Sequence, residues 1–138
     1  MNGISLVMAT MNRPSDVCKF IETLLVQKYK LFELIIVDQS NSENKEILEK
    51  LVHGFKGDID VTLLHTPIPG LSRARNIGIN FIKYDIVGFP DDDCWYSPEV
   101  LNFVCQTFSD RKLDFLSGQY TEPGIKNSRY PEEEIKIN

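Results

Sequence analysis

Residues 34–38 read LIIVD, which is four large apolar residues followed by a carboxylate. A short run of this kind is typical of a strand that is buried on both faces of a parallel sheet. Similar apolar runs occur at residues 4–8 (ISLVM), 61–65 (VTLLH) and 86–89 (IVGF). The sequence therefore predicts four buried strands, and residues 115–116 suggest a fifth.

The segments between these strands carry apolar residues at helical spacing. Four helices are predicted, with Ser15 or Asp16, Ser72 and Ser97 as their expected caps and with glycines 54 and 57 ending the second. Strands that alternate with amphipathic helices indicate an α/β fold. We expect an open, mainly parallel, twisted sheet with helices on both faces, in which the crossovers are right-handed.

Length and composition limit the classes of protein to which the chain can belong. A length of 138 residues predicts one domain, and the net charge of −5 argues against a nucleic-acid module. Three cysteines without CxxC spacing favour a reducing cytoplasm. The sequence contains no recognisable signal peptide and no transmembrane segment, so any work at the inner face of a membrane would be done from its surface.

Polar residues gather in the four loops that follow the predicted strands, at residues 9–14, 38–44, 66–72 and 90–97. The carboxyl ends of parallel strands meet at one edge of a sheet, and ligands bind at that edge in open α/β folds. We therefore expect the functional site there. Its candidate residues include Thr10, Asn12, Arg13, Asp38, Ser40, Ser72, Arg73 and the acidic triplet Asp91, Asp92 and Asp93.

The acidic triplet follows directly after a buried strand. Adjacent carboxylates repel one another and favour a cation, and their hard oxygens suit Mn²⁺ or Mg²⁺. In an extended segment Asp91 and Asp93 would point to the same side. Mg²⁺ commonly takes one or two protein carboxylates together with substrate phosphates. The alternative is a solvated acidic turn before the next helix.

The other candidates are open to two interpretations each. Asp38 could accept hydrogen bonds from a ribose or a base, or it could cap a turn through its own backbone. Arg73 and Arg75 could reach a phosphate or form a solvated helix face. His53 and His65 are interpreted as structural, and Cys94 is expected to be a poor nucleophile because carboxylates lie beside it. The first turn lacks the GxGxxG of a dinucleotide site.

Four motifs in order resemble the N-terminal, nucleotide-sugar-binding half of a family-2 glycosyltransferase with the GT-A fold. They are SLVMATMNR (5–13), ELIIVDQS (33–40), GLSRARNIG (70–78) and VGFPDDD (87–93). The resemblance covers about residues 4–118. It implies a domain at 1–118 and a C-terminal tail at 119–138 that would begin an acceptor half.

The resemblance also implies roles for individual residues. Ala9, Thr10, Asn12 and Asp38 would hold the base and ribose, with Arg73 on the base side. Asp91 or Asp92 would face the ribose and phosphates, and Asp93, with Asp91, would bind Mn²⁺ or Mg²⁺. Met11 stands where the family often has an aromatic residue, and Gln39 stands where a second acid is usual. No residue matches the family's general base.

The implied activity is an inverting transfer of a sugar from a nucleoside-diphosphate sugar to a hydroxyl group. The acceptor would be a saccharide or a lipid-linked saccharide, in the synthesis of a bacterial polysaccharide, and the protein could form a homo-oligomer. The alternative is a non-catalytic nucleotide-sugar-binding module. A receiver-like domain fits less well because Thr10 and Asn12 stand where an acid pair is needed, and a sugar nucleotidyltransferase would need a glycine-rich first loop.

Overall fold

A computed structural model describes residues 3–116 and, beyond them, the backbone of residues 121–122 and 125–126. The residues up to Cys105 belong to one compact unit, and a second unit begins at Gln106. The elements in chain order are β1 (Ile4–Thr10), α1 (Pro14–Leu25), β2 (Phe32–Asp38), α2 (Ser42–Phe55), β3 (Val61–His65), α3 (Leu71–Ile79), β4 (Ile86–Gly88), α4 (Val100–Asp110), β5 (Thr121–Glu122) and β6 (Ile125–Lys126).

The main sheet has four strands in the order β3-β2-β1-β4, and every neighbouring pair is parallel. Helix α1 packs against α2, and α3 packs on β1 and β2. Because crossovers are right-handed and the strand order reverses after β3, α3 lies on the face opposite to α1 and α2. The predicted parallel α/β sheet with helices on both faces is therefore confirmed.

The core lies along β1 and β2, the two central strands. All seven residues of β2 are buried, including the apolar run at 34–37. In α1 the buried residues are Val17, Phe20, Ile21 and Leu24, which recur at the spacing of one helical face. The apolar runs of β1 and β2 therefore form the interior of the sheet, whereas the edge strands β3 and β4, also predicted to be buried, have one buried residue each.

Several element boundaries differ from the predicted ones. Helix α1 begins at Pro14, which needs no N–H partner at this position, rather than after Ser15 or Asp16. Gly70 precedes α3 in place of Ser72, and α2 continues through Gly54 to Phe55. Helix α4 begins two residues after Pro98. The expected fifth strand at 115–116 is only an isolated β-bridge at Phe115.

Candidate functional site

The reversal of strand order falls between β1 and β4. In open α/β sheets this switch point is where ligands bind. Thr10 ends β1, and its Oγ1 donates a hydrogen bond of 2.8 Å to Oδ2 of Asp92, which follows β4. The ends of the two strands at the switch point are thus bonded to each other.

Arg13 provides the positive charge beside the acidic triplet. Its Nη1 lies 3.3 Å from Oδ1 of Asp92 and 3.8 Å from Oδ2 of Asp93. The side chain of Asp92 is only 12% exposed, whereas those of Asp91 and Asp93 are 73% and 63% exposed. Asp92 is therefore held by Thr10 and Arg13, whereas the side chains of Asp91 and Asp93 remain open to solvent.

The triplet forms a turn and not an extended segment. The amide of Cys94 donates to the carbonyl of Asp91 at 3.4 Å, which closes a turn around Asp92 and Asp93. Asp91 lies 3.7 Å from Nη2 of Arg75, while Asp93 approaches Arg13. The expectation that Asp91 and Asp93 point to the same side is wrong, because the two-residue period of a strand does not apply in a turn.

Asp38, at the end of β2, is buried with 1% exposure. Its Oδ1 accepts hydrogen bonds from the amide of Ser40 at 3.1 Å and from the Ser40 hydroxyl at 2.5 Å. The turn-capping interpretation of Asp38 therefore holds for Oδ1. The second carboxylate oxygen, Oδ2, is not used by this turn.

Oδ2 of Asp38 is the one buried side-chain oxygen or nitrogen without a hydrogen-bond partner in the part of the chain that the structure describes. The imidazole of His65 lies beside it, with Nδ1 3.7 Å away. That separation is too long for a hydrogen bond, although it would serve an ion pair if the imidazole were protonated. Leaving a buried carboxylate oxygen unpaired is costly, so this atom points to a ligand.

A second buried carboxylate on the same strand shows the contrast. Glu33, at the other end of β2, accepts hydrogen bonds at Oε2 from the Ser5 hydroxyl (2.6 Å) and the Lys83 amide (2.8 Å). Tyr84 donates its amide to the same Ser5 hydroxyl at 3.1 Å. Glu33 is thus a satisfied structural acid, whereas Asp38 keeps an unused acceptor at the edge where ligands bind.

Asn12 joins the first and second loops and has a left-handed backbone with φ of 56°. Its amide donates to Oγ of Ser40 at 2.7 Å, and its side-chain oxygen accepts from the amide of Asn41 and from Nδ2 of Asn44. The resemblance assigns Asn12 to the base and ribose, but its side-chain oxygen is engaged with the start of α2. Asn41 also caps that helix by accepting from the Asn44 amide.

Gln39 ties the third loop to this arrangement. Its Oε1 accepts from the amide of Gly70 at 2.5 Å, and its Nε2 lies 3.5 Å from the Thr10 carbonyl. Gly70 has φ of +155°, a conformation that disfavours any residue with a side chain. The amide at position 39, where the family usually has an acid, thus links loops that follow β1, β2 and β3.

The remaining predicted residues lie at the same edge. Ala9 is half-buried in β1, opposite Val37, and Arg73 is exposed in the first turn of α3. Arg75 is also positioned over the ring of Phe89, 5.4 Å from its centroid. His65, interpreted from the sequence as structural, lies beside Asp38, a neighbour that the sequence interpretation did not identify. The signal was available, because Asp38 and His65 both end their strands and are register partners.

Cys94 lies beside the triplet and is a weak nucleophile, as the sequence predicts. Burial, with the nearby charges of Asp91 and Asp93, raises the pKa of its thiol to about 11. Its Sγ also donates to the carbonyl of Asp91 at 3.0 Å. The thiolate is therefore scarce at neutral pH.

We expect Cys94 to be alkylated at pH 8 roughly 100-fold more slowly in the folded protein than an ordinary cysteine, whose pKa is about 8.5. The rate should climb as the pH approaches 11, because the thiolate fraction increases. Peptide mass spectrometry after timed iodoacetamide treatment measures this. The same protein in urea is the control, and equal rates in the two states would contradict the prediction.

The acidic triplet is the candidate site for a metal ion. Within residues 3–116 no three His, Cys, Asp or Glu side chains are grouped so that they could hold one. The exposed carboxylates of Asp91 and Asp93 nevertheless supply hard oxygens, and one or two of these with substrate phosphates make a usual Mg²⁺ site. The donor set therefore fits an ion that is shared with a substrate.

The fold and this edge define an α/β protein with polar side chains gathered at the switch point of a parallel sheet. The family model for glycosyl transferase family 2 matches residues 5–136, so the chain belongs to that family. None of the helices in the described part of the chain has the length and apolar character needed to span a membrane.

Three known proteins illustrate the relationship. The hyaluronan synthase of Pasteurella multocida is 28% identical over 118 residues, which cover 83% of this chain and 12% of that protein. TarS of S. aureus, residues 1–349 with UDP-GlcNAc, shares the fold with a TM-score of 0.69 at 20% identity, over 81% of this chain and 32% of that one. The mannosyltransferase PcManGT of Pyrobaculum calidifontis, with GDP-Man and Mn²⁺, gives 0.72 at 17% identity, over 80% and 33%.

The two solved structures are GT-A glycosyltransferases, and the chain has the corresponding α/β fold. The chain spans about an eighth of the length of the hyaluronan synthase and about a third of each of the two structures.

Proposed function

We propose that this chain is the donor-binding part of a glycosyltransferase that moves a sugar from a nucleoside-diphosphate sugar to an acceptor hydroxyl. The observation that carries the proposal is the unpartnered, buried Oδ2 of Asp38 at the same sheet edge as the acidic triplet. A nucleoside diphosphate carries hydrogen-bond donors at one end and anionic oxygens at the other. The hydrogen-bond donors match the free acceptor oxygen of Asp38, and the anionic oxygens match the positive charge of Arg13.

In this proposal the nucleoside lies over Asp38, between the first loop and α3. Thr10, Asn12 and Ala9 shape the floor, and Arg73 lies on the base side. The diphosphate extends toward Asp91 and Asp92, where Arg13 can offset its charge. Charge-assisted hydrogen bonds of this kind contribute roughly 1.5–3 kcal/mol each. The candidate bases are uracil and guanine, which are the bases of the ligands bound in the two solved relatives.

The Mn²⁺ in the complex of PcManGT supports a metal-dependent donor site. We assign Asp93 and Asp91 as the residues that would hold Mn²⁺ or Mg²⁺. Such an ion, when bound, stabilises the negative charge that develops on the departing diphosphate. The chain's own residues orient the donor, and orientation is a large share of such a rate enhancement.

The transfer is proposed to invert the anomeric centre, and residues 1–118 are proposed as the donor-binding domain, with 119–138 leading toward an acceptor half. A catalytic base is not assigned. The polysaccharide role of a relative such as hyaluronan synthase supports a bacterial polysaccharide product. A saccharide or lipid-linked acceptor, work at the inner face of the membrane and self-association remain predictions. A non-catalytic binding module would bind the donor and transfer nothing.

Calorimetric titration with UDP and GDP, with and without Mn²⁺, tests the donor site. We expect Mn²⁺ to tighten binding of the preferred nucleotide about tenfold, since it would link an exposed carboxylate of the triplet to the diphosphate. In Asp93→Asn most of this gain should be lost. Asp85→Asn is the matched control, because Asp85 is an exposed acid before the opposite end of β4. Binding that is equal with and without Mn²⁺ would refute the metal role.

A further inference from the structure

A buried amide side chain, that of Gln27, joins the end of α1 to residues 96–101, the segment that follows the acidic triplet. Gln27 is 1% exposed. Its Nε2 donates to the carbonyl of Thr23 at 3.2 Å and to that of Ser97 at 2.7 Å, and its Oε1 accepts from the amide of Leu101 at 3.2 Å. Both amide hydrogens are therefore used, and two of the three bonds go to the 96–101 segment.

Neighbouring residues attach the same segment to α1. The amide of Tyr96 donates to Oγ1 of Thr23 at 3.3 Å, and the amide of Lys28 donates to the carbonyl of Pro98 at 3.0 Å. The rings of Tyr96 and Phe20 make an edge-to-face contact with their centroids 5.0 Å apart. The segment is thus held along the carboxyl-terminal end of α1, with the Gln27 side chain at its centre.

The opposite end of α1 contacts the triplet itself, because Arg13 immediately precedes the helix and lies beside two of the three acids. Only Cys94 and Trp95 separate the triplet from the 96–101 segment. Consecutive Cα atoms are 3.8 Å apart, so this connection is too short to absorb a large movement. A displacement of the 96–101 segment therefore displaces the triplet.

The exposed acids of the triplet depend on such support from the chain around them. The side chains of Asp91 and Asp93 are mostly open to solvent, and β4, which precedes them, pairs with β1 over only three residues. Carboxylates that bind an ion have to be held close to the productive geometry by surrounding residues. A buried amide that uses both of its hydrogens supplies a fixed attachment of this kind.

We propose that Gln27 is a positioning residue for the acidic triplet, which it fixes for a metal ion by holding the 96–101 segment against α1. The inference rests on the proposed function, which assigns that ion to Asp91 and Asp93. Gln27 acts through the chain and not by contact with the donor. Its loss lowers the fraction of molecules in which the triplet is correctly placed, and the apparent affinity falls in proportion to that fraction.

Trp95 is the one tryptophan of the chain and lies exposed between the triplet and the 96–101 segment. Its time-resolved fluorescence anisotropy measures nanosecond motion of this stretch without any ligand. Gln27→Met keeps a side chain of similar length and removes all three hydrogen bonds, so the rapidly depolarised fraction should rise roughly twofold. Val52→Ala truncates a buried residue of α2, outside both α1 and the segment, and should lower stability while leaving the anisotropy unchanged.

Calorimetry with UDP and GDP, with and without Mn²⁺, measures the consequence for donor binding. In Gln27→Met the gain in affinity from Mn²⁺ should fall roughly fivefold, which corresponds to the loss of one hydrogen bond, while the affinity without Mn²⁺ stays within about twofold. Val52→Ala should keep the full gain at a temperature at which both variants are folded. Thr23→Val, which removes the acceptor of the Tyr96 amide, covers the case in which Gln27→Met fails to fold and should change both quantities in the same direction.

An anisotropy of Trp95 that Gln27→Met leaves unchanged, or that Val52→Ala changes equally, would overturn the inference. So would a Mn²⁺ gain that Gln27→Met leaves intact. In each of these cases nucleotide binding by the unaltered protein leaves the proposed function standing. If neither UDP nor GDP binds the unaltered protein, or if Mn²⁺ gives no gain, the proposed function or its metal role fails, and the inference fails with it.

Discussion

Asp38→Asn is expected to weaken nucleotide binding by roughly 10- to 150-fold, the loss that corresponds to one hydrogen bond to a charged group. The substitution keeps the shape of the side chain and one oxygen to accept from Ser40. It replaces the unpartnered acceptor by an N–H₂ group, which cannot accept from the ligand. Titration calorimetry with the nucleotide that the unaltered protein prefers measures the effect.

The same substitution should leave the free energy of unfolding unchanged or raise it. Asp38 is 1% exposed and keeps one oxygen unpaired, so its charge is a cost to the free protein that only a ligand offsets. Asp58→Asn, an exposed acid beyond α2, removes the same charge away from the site and should change neither quantity. A variant of Asp38 that binds normally, or that loses binding only because it unfolds, would contradict this assignment.

Gly78→Ala is expected to destabilise the fold by about 1–3 kcal/mol, which is the usual cost of overpacking a well-packed core. A Cβ at this position in α3 would lie 2.5 Å from Cγ1 of Val7 and 3.3 Å from Cγ2 of Val37. Both valines are fully buried in the central strands and cannot move aside. The glycine therefore allows α3 to lie close to the sheet. Thermal or urea unfolding measures the change.

Gly54→Ala provides the matched comparison. Gly54 also lies within a helix, but a Cβ there would meet nothing within 4 Å. Alanine is favoured over glycine by about 1 kcal/mol inside a helix, so this variant should be more stable than the parent. Opposite signs at the two positions are the expected result. Stabilisation by both substitutions would mean that α3 does not pack tightly on β1 and β2.

The sequence was sufficient to predict the parallel sheet because the central strands β1 and β2 are nearly continuous apolar runs, which are typical of strands buried on both faces. Helix ends were less predictable. Each serine proposed as a cap lies near a proline or glycine, and the fixed φ of Pro14 and the positive φ that Gly70 can adopt determined the boundary instead. Backbone conformation outweighs a single side-chain hydrogen bond here.

The candidate site was predicted as a set of loops but not as a set of contacts. The sequence predicted that the triplet follows β4. It did not predict the turn closed by Cys94, in which Asp91 approaches Arg75 and Asp93 approaches Arg13. The proximity of His65 to Asp38 was not predicted, because an isolated histidine gives no local signal and the two residues are related only through strand register. Contacts between distant loops depend on tertiary packing that a linear pattern does not encode.

The segment 10–13 contacts both halves of the site through closely spaced residues. Thr10 and Arg13 hold Asp92, and the Asn12 amide fixes the Ser40 hydroxyl that occupies Asp38. A shift of this short segment at one end must therefore disturb the other. Energetic coupling follows: substitutions at Arg13 and Ser40, although they lie in separate loops, should fail to add when they are combined.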